Sequence, residues 1–478
     1  MAIHDLQHED ETLQHLFRAL PSVNEVLLIP ACRSLLDAHP RGAVLRATRE
    51  ALAVMRSEIS AGLHSGSSLK QSVALLPEEI ANRLTASARY SLRSVINATG
   101  VILHTNLGRA PLSAAALRHV VEVAQDYCNL EFDLENGLRS RRDSHVESLV
   151  LRALGTAMAS AADSHGVIIV NNCAAATMLT LNSLAEKSEV VVSRGELVEI
   201  GGGFRIPEIL EKSGAILKEV GTTNRTRLAD YESALGPRTG LLLRVHQSNF
   251  SIEGFTERPS LQELVELSKR VGIPLFEDQG TGLISSLERF GISGEPSLLQ
   301  SFESGVDLIA ASGDKLLGGP QCGILVGKYD LIDRIRKNPL LRALRVDKLT
   351  YAALEGTLLE HLSEETSSIP VERMLSVPAE DLMRRCREVA EHINSSQLAF
   401  DIVPVASLVG GGTAPKATLQ SCAISLRHTS LPAVELLSRL RKLEPPIIGR
   451  ISDDTVLLDL RTVPPDFDEE LASLLTSL

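Results

Sequence analysis

Lys315 is the residue of this 478-residue chain best placed for covalent chemistry. It lies in Ser312-Gly313-Asp314-Lys315-Leu316-Leu317-Gly318-Gly319-Pro320-Gln321, directly after the mostly apolar run Val306-Asp307-Leu308-Ile309-Ala310-Ala311. That layout predicts a lysine on a short loop at the end of a buried strand. A poorly hydrated site disfavours the ammonium form, and a neutral lysine amine forms a Schiff base with a carbonyl. The flanking glycines let a flat cofactor approach the backbone. An ordinary turn lysine is the alternative.

Two upstream loops complete a set. In Leu275-Phe276-Glu277-Asp278-Gln279-Gly280-Thr281-Gly282, Asp278 ends an apolar strand and precedes glycines. A carboxylate there suits a protonated pyridine nitrogen, or it caps the next helix. The segment Asn171-Asn172-Cys173-Ala174-Ala175-Ala176-Thr177 follows Ile169-Val170 and opens a helix with small residues. Free N–H groups at Ala174 and Ala175, together with the helix dipole, suit a phosphate; small residues also serve plain packing. His246 follows the run Leu241-Leu242-Leu243 and faces the same side, either to stack on a ring or to hydrogen-bond in the core. His104 has no role that the sequence assigns.

The elements that position these residues read as an α/β domain. Val167–Val170, Val190–Val192, Ala215–Leu217, Leu241–Leu243, Ile273–Phe276, Asp307–Ile309 and Gly323–Val326 are short continuous apolar runs separated by helical stretches. That pattern means a sheet covered on both faces, with functional loops at the carboxyl ends of the strands. Residues 1–85 read as a helical N-terminal domain. Leu13, Leu16 and Leu20, then Leu45, Leu52 and Met55, have helical spacing. Pro21, Pro30 and Pro40 break the stretch, and Ser65-Gly66-Ser67-Ser68 reads as a flexible joint. Residues 86–365 form the large domain, ending in one long connecting helix over about 335–365. Residues 366–478 form a smaller α+β domain.

Composition narrows the class. The hydrophobic share of 44% and charged share of 23% are ordinary for a globular chain. No apolar run reaches membrane-spanning length. The N-terminus lacks the basic start and apolar core of a signal peptide, which points to the cytoplasm. The six cysteines make no metal-type spacing. A net charge of −12 argues against a DNA or general nucleic-acid binder but leaves room for a local basic patch. Arg33, Arg41, Arg46, Arg49 and Arg56 make one in the N-terminal domain.

The order of helix start, strand-end Asp278 and strand-end Lys315 resembles fold-type-I pyridoxal-phosphate enzymes. Longer blocks are similar to bacterial selenocysteine synthases, the L-seryl-tRNA(Sec) selenium transferases. They are Asn97–Leu112, Ser193–Gly202, Glu219–Thr226, Ser312–Gln321, Leu341–Lys348 and Ile447–Ile451. The resemblance departs at Gln279 and Thr281, where Leu and Ser are expected, and at Cys322, where Ala is usual.

The resemblance implies a fold-type-I core that holds pyridoxal 5′-phosphate on Lys315. Seryl-tRNA(Sec) would become selenocysteinyl-tRNA(Sec) through a dehydroalanyl intermediate, with selenophosphate as donor. It implies that Arg109, Arg342 and Arg345 hold the selenium donor, and that Asp314 acts beside Lys315. Read as helix, Arg342 and Arg345 share one face, where two guanidinium groups suit a tetrahedral oxyanion; a solvated basic face is the alternative. The resemblance also implies a homo-oligomer, a decamer built from dimers. The arginine cluster, in a domain that a fold-type-I core does not need, points to tRNA recognition by residues 1–85; packing on the core or assisting assembly is the alternative. A pyridoxal-phosphate-dependent small-molecule lyase of the same fold, without tRNA, is the competing reading.

Overall fold

The structure, a computed structural model, describes residues 14–155, 164–363, 366–415 and 417–478. It divides into two compact units, residues 1–94 and 95–478.

The first unit is helical. Ser22 caps the helix Val23–Leu28 through a capping box with Glu25. Pro30 opens the helix Pro30–Ala38 at a position where its missing N–H costs nothing. α1 (Arg41–Ser60) buries Val44, Ala47, Thr48, Ala51, Leu52, Met55 and Ile59, the three-and-four spacing of one helical face. Leu45 lies beside that stripe and is only half-buried. The serine-rich segment expected to be a joint is ordered instead. Ser65 is the N-cap of α2 (Gly66–Ala74), and its side chain and that of Ser68 satisfy each other's backbone N–H. α3 (Leu76–Ala88) follows. Arg33, Arg41, Arg46, Arg49 and Arg56 are all exposed.

The second unit is built on a seven-stranded sheet. In chain order its strands are β1 (His165–Val170), β2 (Glu189–Ser193), β3 (Ile216–Val220), β4 (Thr239–Val245), β5 (Leu275–Asp278), β6 (Leu308–Ser312) and β7 (Gly323–Lys328). In space they run β1-β7-β6-β5-β4-β2-β3, and only β7 is antiparallel to its neighbours. Successive strand residues face opposite sides. Ile168, Val170, Val190, Val192, Leu241 and Leu243 pack into one buried cluster; Val167, Ile169, Val191 and Leu242 pack into the other. Both faces are covered, so the strands read as continuous apolar runs.

This topology sets the position of the chemistry. β1, β4, β5 and β6 point their carboxyl ends to the same edge, so the segments after Val170, Val245, Asp278 and Ser312 emerge together. The Lys315 loop then turns directly into the antiparallel β7, whose Gly323 pairs with Val170.

The expected single connecting helix is three helices: α4 (Tyr329–Arg336), α5 (Leu340–Leu344) and α6 (Lys348–Leu362). Pro339 interrupts the first join, and Asp347 caps α6 by accepting from the Thr350 N–H at 2.9 Å. Both signals are visible in the sequence. The C-terminal segment forms a second sheet from β8 (Leu398–Gly410), β9 (Thr418–His428), β10 (Arg450–Ser452) and β11 (Thr455–Asp459), joined by Val101–Leu103. β8 pairs with Val101–Leu103 only near Leu408 and Gly410, so Pro404 lies where β8 has a single partner. Among the described residues no single helix is long and apolar enough to cross a membrane.

Candidate active site

A cavity of about 380 Å3 opens at the carboxyl edge of the sheet. Thr105, Gly108, Arg109, Cys173, Ala174, His246, Asp278, Gly280, Ser312, Asp314 and Lys315 contribute to its walls. Sequence segments from six separate places in the chain, Ile200–Gly201 among them, meet there.

Lys315 is 6% exposed. Burial pulls its amine below the ordinary lysine range. The nearby Arg109 charge acts the same way, while Cys173, Asp278 and Asp314 oppose it. Its loop is rigidly tied. Gly313 N–H donates to Cys322 O at 2.9 Å, Gly318 N–H to Lys315 O at 2.9 Å, and Leu316 N–H to Thr281 O at 3.0 Å. A Cβ at Gly313 would meet both Cys322 Sγ and Pro320 O at 2.5 Å. The fit of this loop therefore depends on glycine at 313 next to the buried Cys322.

Asp278 ends β5 and is 8% exposed. Burial raises its carboxyl above the usual carboxylate range. Hydrogen bonds from Thr177 Oγ1 (2.9 Å) and Cys173 Sγ (3.5 Å) partly offset the shift. Between Asp278 and Lys315 lies Gly280. A Cβ there would stand 3.7 Å from Asp278 Oδ1 and 4.0 Å from Lys315 Nζ. Glycine thus keeps open the space between the acid and the amine.

The helix Cys173–Ala185 begins at this cavity, and Asn172 caps it by accepting the Ala175 N–H at 2.8 Å. The two alanines expected to bind a phosphate therefore differ. Ala174 lines the cavity; the Ala175 amide is already taken by the cap. Cys173, one position earlier, takes Ala175's place on the wall. Its thiol is pushed well up by burial and by the Asp278 charge.

Arg109 sits at φ 63°, after Gly108 at φ 89°. This left-handed turn carries Arg109 Nη1 to 2.6 Å from Asp314 Oδ2, and Ala110 N–H donates to Asp314 O at 3.3 Å. The Asp314 carboxylate is thus engaged by Arg109. His246 lines the cavity, and its Nε2 lies 3.0 Å from Glu295 Oε1. His104 is not on the cavity wall, and its Nδ1 is buried without a hydrogen-bond partner among the described residues.

The other two arginines expected with Arg109 lie elsewhere in the chain. Arg342 is exposed on α5, and Arg345 is beyond its end, in extended conformation at φ −62°, ψ 139°. They do not share a helix face, because the helix stops at Leu344. Arg345 pairs in a bridge with Val170 and lines a separate cavity of about 700 Å3 with Arg139, Arg141, Arg142 and Arg336. Its Nη1 lies 4.0 Å from Glu131.

Cys173, Thr177 and Glu295 escaped the sequence reading. Thr177 could have been found, since it lies one helical turn beyond Cys173 and so on the same face. Glu295 carried no signal, because only the fold brings its loop to His246.

The residues present fit pyridoxal phosphate: a buried amine, a buried acid, a gap kept by Gly280 and a helix N-terminus converge on one cavity. Comparison with known proteins agrees. Residues 95–464 match the model of the family described as L-seryl-tRNA selenium transferase, and residues 17–56 match that described as selenocysteine synthase N terminal. The chain is 44% identical to the L-seryl-tRNA(Sec) selenium transferase of Moorella thermoacetica, covering 97% of each chain. It is 41% identical to that of Aquifex aeolicus, covering 98% of this chain and 99% of the relative. Among solved structures, a D-glucosaminate-6-phosphate ammonia-lyase is 20% identical, with a TM-score of 0.55 over 81% of this chain and 95% of that one. That likeness concerns the fold, which is the fold type I of pyridoxal-phosphate enzymes. The extent of the family match and of the identity to its curated members leaves one conclusion: the chain belongs to the L-seryl-tRNA selenium transferase family.

Proposed function

We propose that this protein converts L-seryl-tRNA(Sec) to L-selenocysteinyl-tRNA(Sec), with pyridoxal phosphate on Lys315 and selenophosphate as the selenium donor. The observation that carries the reading is the pairing of buried Lys315 with buried Asp278 across the gap at Gly280, in a chain of this family. The small-molecule lyase alternative finds no such support, since the lyase-like neighbour shares only the fold.

When bound, pyridoxal phosphate supplies an electron-poor ring that accepts the electron pair released at the seryl Cα. The chain's own residues do the rest. The backbone N–H groups at Cys173 and Ala174 would bind the phosphate at the helix start. Asp278, fixed in place by Thr177 and Cys173, would hold a proton on the ring nitrogen. Freed once the seryl amino group takes its place on the cofactor, Lys315 would remove the Cα proton, because burial keeps its amine available as a base. The β-hydroxyl would leave as water on taking up a proton, which the now-protonated Lys315 is placed to give, and Cβ would become open to selenium. Arg109 stands on the cavity wall to hold the donor, with Asp314 fixing its guanidinium. Arg342 and Arg345 complete the donor site in an assembly of subunits, a decamer built from dimers, where another copy brings them to Arg109. The helical unit selects the tRNA through its exposed arginines, and the enzyme acts in the cytoplasm.

The test is direct conversion. Purified protein, pyridoxal phosphate, selenophosphate and seryl-tRNA(Sec) should yield selenocysteinyl-tRNA(Sec), read by mass spectrometry of the released amino acid. Recovery of serine alone would overturn the reading.

A further inference from the structure

A cavity larger than the one that holds Lys315 lies beside it. It is a space of about 910 Å3, and His246 lines both. The Arg345 cavity, by contrast, shares no lining residue with the Lys315 cavity. The larger space lies beyond the carboxyl ends of β2 and β4, formed by segments around Glu196, Asn224, Gln247–Ile252, Arg258 and Gly291–Glu295.

Its walls offer three kinds of contact. Phe250 is an aromatic wall residue, half-buried and packed on the sheet cluster. Glu196 and Glu295 present buried carboxyl groups. Arg258 is exposed over part of its length and makes no hydrogen bond or ion pair among the described residues, while partial burial of its guanidinium and the Arg244 charge pull it below the ordinary arginine range and Glu196 and Glu277 oppose them. A flat ring, hydroxyl acceptors and an open cation are the groups that recognise an unstacked nucleotide.

The proposed reaction demands such a neighbour. The seryl carboxyl is esterified to the ribose of the RNA's last nucleoside. When Cα stands at Lys315, that nucleoside lies only a few bonds away and needs its own space beside the Lys315 cavity. A cavity of about 380 Å3 has to take the cofactor ring and the seryl group; the adjoining space shares its His246 wall.

We propose that the 910 Å3 cavity binds the 3′-terminal adenosine of the aminoacylated RNA, with the base on Phe250 and the preceding phosphate on Arg258. This inference rests on the function proposed above. His246, braced by Glu295 at 3.0 Å, then marks the border between the amino-acid and nucleoside compartments.

The test uses the full-length holoprotein and the visible absorbance of its bound cofactor. Serinamide is compared with 3′-deoxy-3′-(L-serylamino)adenosine, whose amide resists hydrolysis. The nucleoside compound should half-saturate the spectral change at a concentration lower by on the order of tenfold, the scale of one base–aromatic stack. Phe250→Ala should bring the two concentrations together, and Phe250→Tyr should restore the difference. Arg258→Gln, checked for an unchanged cofactor spectrum, should weaken binding of the corresponding seryl-aminoadenosine dinucleotide and flatten its salt dependence. It should leave binding of the phosphate-free nucleoside compound unchanged. Equal half-saturation by serinamide and the nucleoside compound in the unmodified protein would overturn the subsite while leaving the reaction standing. So would an Arg258→Gln protein that binds the dinucleotide as before. No spectral response to either compound, with no conversion of seryl-tRNA(Sec), would overturn the function and the subsite together.

Discussion

Asp314 Oδ2 lies 2.6 Å from Arg109 Nη1, joining loops 205 residues apart in the chain. The Asp314 side chain is 7% exposed and that of Arg109 30%, so removing the arginine strands a buried carboxylate. Arg109→Ala should cost about 1–3 kcal/mol of stability. Arg109 also sits at φ 63°, where any residue with a Cβ is strained. Arg109→Gly should therefore be more stable than Arg109→Ala by roughly 1 kcal/mol. Urea unfolding of the two variants checks the order, and the reverse order would mean that the turn relaxes freely.

Lys315 should be the residue that carries the cofactor. Borohydride treatment of the loaded protein should fix the pyridoxyl group on Lys315, read by peptide mass spectrometry. Label on another lysine would dismiss the assignment.

The same lysine should cost the cofactor-free protein stability near neutral pH. Its amine is held below the ordinary lysine range by burial, so the unfolded chain binds the proton more readily than the folded one. Stability then rises with pH between the folded and unfolded values. Lys315→Met should melt at or above the temperature of the unmodified cofactor-free protein at pH 7. That gap should narrow toward the ordinary lysine value of about 10.4. A gap that widens with rising pH would contradict the depressed amine.

Asp278→Asn should separate holding the cofactor from using it. The amide keeps the size of the side chain but cannot keep a proton on the ring nitrogen. Borohydride labelling of Lys315 should survive, while turnover falls by about 10²–10³, the scale for losing a group aimed at developing charge. Turnover within a few-fold of the original would remove Asp278 from the mechanism.

Arg342→Ala and Arg345→Ala should leave cofactor loading intact and impair use of selenophosphate by on the order of ten- to a hundredfold, through loss of one charge-assisted contact. Because these residues do not meet Arg109 within one chain, a mixed oligomer is informative. Combining Arg109→Ala subunits with Arg345→Ala subunits should restore part of the activity that neither variant shows alone.

Removing residues 1–94, the helical unit, should preserve labelling of Lys315 and abolish selective binding of tRNA(Sec) over other seryl-tRNAs in filter-binding measurements. Full selectivity in the shortened protein would move recognition onto the residues from 95 onward.

Lys315, Asp278 and the helix opening at Cys173 were legible in the sequence because each follows a continuous apolar run. A strand buried on both faces has no choice about where it ends, so the residue after it is placed by local pattern alone. The strands inside the sheet were legible for the same reason, and the edge strand β3 only through its short apolar start, whereas β8 was not, since it alternates in burial and carries Pro404. The failures are those of tertiary context. Ser65 has the composition of a linker, yet becomes a helix cap once its side chain finds the Ser68 N–H. Arg342 and Arg345 have helical spacing, but the helix ends between them where Arg345 bridges to Val170. The contacts of Glu295 with His246, Thr177 with Asp278 and Arg109 with Asp314 span 49, 101 and 205 residues. The chain pattern therefore determined which residue types stand at the carboxyl edge of the sheet. Which of them touch, and which cavity adjoins which, was decided only by the tertiary structure, because a hydrogen bond depends on distance in space and the sequence records only distance along the chain.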